Sequence, residues 1–76
     1  MVLCGGAFDP LNPGHLAYLA EAARLGPVCV AVASDDYIRA VKGRTSLMSQ
    51  GARASVLLSL RCVSEVIQQD DRGEAG

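Results

Sequence analysis

Apolar residues fall along this chain in short runs of two different periods, and their alternation predicts the architecture. Val2-Leu3-Cys4 reads as a first strand. Leu16, Leu19, Ala20 and Ala23 recur at helical spacing, which predicts a helix from about His15 to Leu25. Those four residues form its expected buried stripe, with Tyr18, Glu21 and Arg24 elsewhere on the helix. Gly26-Pro27 is a strong stop. Val28 to Ala33 is an unbroken, valine-rich apolar run, the pattern of a strand covered on both faces in a parallel sheet. Ser34-Asp35-Asp36 ends that strand and caps a short helix to about Val41, closed by Gly43. Arg44 to Ser49 reads as a loop, and Gln50 to Arg61 as a helix whose apolar face holds Val56, Leu57, Leu60 and Val63. Val63 to Ile67 is a short third strand.

From about Gln68 onward the chain is polar and without apolar periodicity. The expected division is therefore a folded domain over residues 1–68 and a frayed or disordered tail over 69–76. The order β-α-β-α-α-β implies an α/β fold built on three parallel strands with right-handed crossovers.

Composition narrows this further. A chain of 76 residues makes one small domain, and a domain of this size buries only about 60% of its unfolded surface. With 50% apolar and 20% charged residues the balance is globular, and with Phe8, Tyr18 and Tyr37 as its only aromatics the core must be aliphatic. A net charge of −1 argues against non-specific nucleic-acid binding and against an anionic membrane surface. No apolar run approaches the roughly 20 residues of a membrane span. Cys4, Cys29 and Cys62 have no metal-ligand spacing and read as free thiols in a reducing compartment, so a cytoplasmic location is expected.

The chemistry concentrates in Gly5-Gly6-Ala7-Phe8-Asp9-Pro10-Leu11-Asn12-Pro13-Gly14-His15-Leu16, between the first strand and the first helix. The first N–H groups of a helix lack internal partners, and the macrodipole adds roughly half a positive charge there. A strand that turns through glycines into such an end builds an anion site. Gly5, Gly6 and Gly14 let the backbone approach a ligand, and His15 places an imidazole in the first turn, where a phosphate oxygen would sit. Taken singly, Gly5, Gly6 and His15 also read as an ordinary turn and helix cap; together with Phe8-Asp9-Pro10 they form a specific motif.

Gly6 to His15 resembles the Gly-x-Phe-Asp-Pro-x-His-x-Gly-His signature of the nucleotidyltransferase superfamily that carries the HxGH motif. That superfamily includes nicotinate-mononucleotide and phosphopantetheine adenylyltransferases, glycerol-phosphate cytidylyltransferases and heptose-phosphate nucleotidyltransferases. Asn12 stands where most members have the first histidine, and Ala7 where a hydroxyl residue is common. Asparagine keeps an N–H donor without the option of positive charge. The likeness continues through Val30 to Asp36, through Arg39 to Arg44 with its Lys-Gly pair, and through Gly51 to Ala54, where an acidic pair of the family is missing. It ends with Val63 to Ile67, so it covers residues 1 to about 70.

The resemblance implies a Rossmann-like three-layer fold, here strands 3-2-1 of a 3-2-1-4-5 parallel sheet. The fourth strand and the Ser/Thr-rich helix start of the family have no counterpart, so the first strand becomes an open edge. It also implies nucleotidyl transfer, with CMP or AMP passing from a nucleoside triphosphate to a phosphorylated small-molecule acceptor as pyrophosphate leaves. His15 and Lys42 are then the catalytic candidates. Gly6, Ala7, Phe8, Asn12, Gly14, His15 and Arg53 would bind the nucleotide, with Phe8 packed under the loop, and Lys42 and Arg44 would bind the acceptor phosphate. Lys42, Arg44 and Arg53 each also read as solvated basic residues. Mg²⁺ would be carried by the triphosphate, with Asp9 holding the turn rather than binding metal. An alternative is a non-catalytic phosphate-binding half-domain, or a fragment that needs a partner chain. In either case a homo-oligomer or partner chain is expected on the open strand edge.

Overall fold

The computed structural model describes residues 1–69. The elements are β1 (Val2–Gly6), α1 (Pro13–Ala23), β2 (Val28–Val32), α2 (Asp35–Lys42), α3 (Gln50–Leu58) and β3 (Glu65–Gln68). The strands pair in parallel in the order β1-β2-β3, with Val2 opposite Val28, Cys4 opposite Val30, and Val30 opposite Val66. Element order and sheet order are those expected. Gln68 closes β3, and the Gln69 N–H donates to Val32 O at 2.9 Å. The rest of the expected tail, from Asp70, lies outside the described residues.

Alternation along the strands divides the sheet into unequal faces. Cys4, Val28, Val30 and Val32 point to one side and form the core with Leu19 and Ala22 from α1, Leu57 from α3, and Phe8. Both helices therefore cover the same face. On the other face Leu3 is 68% and Ile67 50% exposed. Of the three layers implied by the resemblance, the described residues supply the sheet and one helical layer.

Two helical faces differ from the sequence pattern. In α1 the buried positions are Leu19 and Ala22, while Leu16 is 42% exposed. The cause is at the start of the helix. His15 must face Phe8, their rings meeting edge-on with centroids 4.9 Å apart. Residues 15, 19 and 22 share one side of a helix, so Leu16 turns toward solvent. In α3 the buried set is Arg53, Ala54 and Leu57, with Val56 38% exposed. A charged residue occupies a core position there, which apolar periodicity passes over. The helix also stops at Leu58, and Ser59 to Cys62 form turns before β3 begins at Glu65.

β1 pairs with β2 alone among the described strands. Beside its free edge runs an apolar groove of about 470 Å³, bordered by Val2, Leu3, Cys4, Tyr18, Ala22 and Leu25.

Leu19→Ala is expected to lower the unfolding free energy by about 2–5 kcal/mol, because the site is closed on all sides. Leu16→Ala is expected to cost less than about 1 kcal/mol. Urea titrations of the two variants check the face assignment, and a larger loss at Leu16 would contradict it.

Candidate functional site

The loop between β1 and α1 is shaped first by Phe8. Its φ of 53° lies in the left-handed region, and its ring is buried beneath the loop. The ring folds back on Gly6, where an added Cβ would stand 3.0 Å from it. A side chain at Gly6 would thus press on the Phe8 ring, whatever ligand approaches. Phe8 under the loop is the arrangement expected from the sequence.

Asn12 and His15 then close a reciprocal capping box. The His15 N–H donates to Asn12 Oδ1 at 3.0 Å, and the Asn12 N–H donates to His15 Nδ1 at 3.2 Å. The exchange satisfies two helix-start donors that would otherwise lack partners. It also sets the imidazole: a neutral ring whose Nδ1 accepts a hydrogen bond carries its proton on Nε2, which becomes a donor. Gly14 fits because a Cβ there would lie 3.1 Å from Asn12 Oδ1. Asn12 is therefore a cap first, with only its amide nitrogen left to meet a ligand.

The loop is fastened to the segment between α2 and α3 by Asp9. Its buried carboxylate accepts from the N–H of Leu47 at 2.8 Å and of Met48 at 3.2 Å, and from Arg44 Nη1 at 3.2 Å. Arg44 Nη2 also donates to the Asp9 carbonyl. Burial pushes the Asp9 carboxyl up, but the Leu47 N–H, Arg44 and the Met48 N–H together outweigh it and hold the group below its ordinary value. Asp9 does hold the turn, through partners nearly forty residues away in sequence.

Arg53 makes the second fastening. It is 1% exposed, and its guanidinium donates to Ala7 O at 2.8 Å, Ala33 O at 2.9 Å and Met48 O at 3.0 Å, and to the Asp35 carboxylate. Asp35 also accepts from Ser46 Oγ at 3.1 Å. Burial raises its carboxyl, while Arg53, Ser46 and the Gln50 N–H pull it below the ordinary value. The expectation that Arg53 reaches a nucleotide's phosphates is corrected here: its donors are committed inside the protein, and it acts on the site by holding the Ala7 carbonyl. The helix cap expected among Ser34, Asp35 and Asp36 is Ser34, whose Oγ accepts from the Tyr37 N–H at 3.0 Å.

These contacts leave a cleft of about 310 Å³ lined by Ala7, Phe8, Asp9, Pro10, Asn12, His15, Lys42 and Arg44. It brings together residues from the loop, the first turn of α1 and the end of α2. Lys42 makes no ion pair among the described residues, and Arg44 is partly exposed over its contact with Asp9. No backbone acceptor among the described residues takes the N–H of Ala7 or Phe8. Residues that carry an imidazole, an ammonium, a guanidinium and backbone N–H donors thus line one space, while the carboxylate of Asp9 is taken up by its own partners. Such a cleft attracts an anion. Gly6 and Gly14 shape it from behind, and Arg53 stays out of it.

The two lowered carboxyls make stability depend on acid. Each group's folded pKa lies below its unfolded value, so its contribution is complete above about pH 4 and is lost as pH falls through the folded value. Urea midpoints measured from about pH 7 to about pH 2 are expected to drop below about pH 4. Asp9→Asn should lower the midpoint at neutral pH and shrink the acid drop. An acid drop of unchanged size in Asp9→Asn would contradict this assignment.

Comparison with known proteins identifies the family. The model of the cytidylyltransferase-like family matches residues 3–73. The chain is 42% identical over 67 residues to an FAD synthase of Thermococcus sibiricus, covering 87% of this chain and 45% of that protein. It is 40% identical over 73 residues to the bifunctional protein HldE of Syntrophotalea carbinolica, covering 93% of this chain and 15% of that one. Among solved structures, the lipopolysaccharide core biosynthesis protein of Thermoplasma volcanium superposes with a TM-score of 0.86 at 30% identity, over 96% of this chain and 60% of the other. The chain spans less than half the length of these two curated relatives. With loop, capping histidine and parallel sheet in place, this chain belongs to the cytidylyltransferase-like family of nucleotidyltransferases.

Proposed function

We propose that the Ala7–His15 cleft binds the phosphates of a nucleoside triphosphate, and that the chain serves nucleotidyl transfer to a phosphorylated small-molecule acceptor. The observation that carries this reading is the set of donors around one cleft: His15 Nε2–H, Lys42, Arg44 and the free N–H groups of Ala7 and Phe8. In such a reaction an acceptor phosphate oxygen attacks the α-phosphorus of the triphosphate in line. The bond to the bridging oxygen breaks, and pyrophosphate leaves with the electron pair. Little covalent work falls to the protein, so positioning and charge stabilisation carry the rate. His15 Nε2–H donates to the α-phosphate region, and Asn12 Nδ2 to the same triphosphate. Lys42 and Arg44, which line the same cleft, hold the acceptor phosphate against it. CTP and ATP are both donors under this reading.

Mg²⁺ belongs to the triphosphate in this proposal. Both Asp9 oxygens already accept hydrogen bonds, and no group of three metal-ligating side chains occurs among the described residues. The ion suits that arrangement, since it keeps several waters and needs few protein ligands. The setting we assign is the cytoplasm, where the three free thiols Cys4, Cys29 and Cys62 stay reduced. No helix among the described residues is long and apolar enough to cross a membrane.

Binding tests the reading directly. Calorimetric titration of Mg-CTP and Mg-ATP should give saturable binding to wild type, weakened about 10–100-fold in His15→Ala, the loss expected for one hydrogen bond to a charged oxygen. Thermal melts of the variant show whether it remains folded. Affinities equal to wild type for both nucleotides would end the proposal.

A second reading, favoured by the β1 edge that no described strand pairs, is that the domain works only when another chain pairs with that edge. Unpaired strand edges with apolar flanks are rarely left bare, and Leu3 and Leu25 are both exposed beside this one. Sedimentation velocity at low micromolar concentration should then show a species larger than a monomer, converted toward monomer by Leu3→Lys. A compact monomer with slow amide exchange across Val2 to Cys4 would exclude edge pairing.

A further inference from the structure

A second cleft of about 320 Å³ lies one residue along the chain from the first, lined by Gly5, Gly6, Ala33, Tyr37 and Gln69. Gly6 lines this cleft and Ala7 the other. Consecutive Cα atoms are about 3.8 Å apart, so one peptide unit separates the two spaces at that point. The two clefts therefore adjoin at the Gly6–Ala7 peptide.

Gly5 distinguishes this cleft from an incidental depression. Gly6 and Gly14 are explained by close protein atoms, the Phe8 ring at 3.0 Å and Asn12 Oδ1 at 3.1 Å. A Cβ on Gly5 would meet only Ala31 O, at an ordinary 3.9 Å. Its φ is not among the positive values, and a strand position normally favours a side chain. Among the described residues, no packing or backbone requirement accounts for glycine there. What its absent side chain does is leave the cleft floor as bare peptide. Tyr37, an aromatic 45% exposed at the start of α2, lines the same cleft together with Ala33 and Gln69. A cleft lined by bare peptide and an aromatic ring suits a planar group. Stacking on an aromatic side chain is the usual way a protein holds such a ring.

We infer that this cleft takes the planar heterocycle of a ligand whose phosphate lies in the His15–Arg44 cleft. The inference rests on the phosphate reading above and adds to it the ring and its two contacts, Tyr37 and Gly5. The heterocycle belongs either to the nucleotide donor or to a ring-bearing acceptor, and binding separates the two sources.

The experiment compares ring-bearing probes (Mg-CTP, Mg-ATP and riboflavin 5′-phosphate) with ring-free ones (inorganic tripolyphosphate and glycerol 3-phosphate). Each is titrated by calorimetry into wild type, Tyr37→Ala, Tyr37→Phe and Gly5→Val, with thermal melts confirming folding. At least one ring-bearing probe should bind wild type about tenfold more tightly than its ring-free counterpart. Tyr37→Ala and Gly5→Val should each erase that margin, Tyr37→Phe should keep it, and the ring-free affinities should not move. A margin carried by CTP or ATP assigns the cleft to the donor, and one carried by riboflavin phosphate assigns it to the acceptor. Equal affinity for ring-bearing and ring-free probes in wild type overturns the inference, as does a margin that survives both Tyr37→Ala and Gly5→Val. Failure of the phosphate reading is separate: it would appear as tripolyphosphate binding that His15→Ala does not change.

Discussion

The structure turns on one buried guanidinium. Arg53 is shut away from solvent and faces three carbonyls from three segments, those of Ala7, Ala33 and Met48, together with the carboxylate of Asp35. At the carboxyl end of a short parallel sheet the chain leaves the ladder, and its carbonyls need partners that neither strand nor helix supplies. A single planar fork of five donors reaches several of them at once. Removing it would leave those buried carbonyls unpaired, at about 1–3 kcal/mol for each, while the Asp35 carboxylate, 41% exposed, could turn to water. For 76 residues with a modest core, that is a large share of the whole stability.

The same geometry creates the cleft. Asp9 and Arg53 draw the Ala7–Asp9 loop against the segment from Arg44 to Met48, and the Asp9 carboxylate is turned inward as they do so. What remains outward is a set of donors. Neither fastening residue needs to touch a ligand to matter, since each fixes where Ala7 and Phe8 present their N–H groups. His15 is fixed by a different device, the exchange of hydrogen bonds with Asn12, which also selects its tautomer. Loop and helix start are therefore preorganised by separate means and meet at the Phe8 ring, which touches both Gly6 and His15.

What the sequence discloses follows from the range of the interactions involved. The strand Val28–Val32, a cap within Ser34–Asp36, the Gly43 stop and the Gly6–His15 motif depend on neighbours within a few residues, and all are legible in the order of residues alone. Arg53 is not. Its partner Ala7 lies 46 positions away and the Asp9–Leu47 contact spans 38, so no local pattern marks them. Periodicity also misplaces the faces of α1 and α3, because a charged residue holds a core position in one and a ring contact rotates the other. A basic residue in the middle of an apolar helical face, with an acid at the end of a buried strand, is the available sign. The bare Gly5 is visible too, but only the distances around it separate a glycine the fold requires from one it does not.

The central claim is that Ala7, Phe8 and His15 form one anion site on a loop held from behind. The direct measurement is an amide and imidazole nitrogen NMR titration with inorganic tripolyphosphate. Saturable shifts at the Ala7 and Phe8 amides and at His15 Nε2, with the Arg53 Nε resonance slow to exchange throughout, are the expected result. Shifts that bypass the loop, or an Arg53 Nε that exchanges freely with water, would contradict the account.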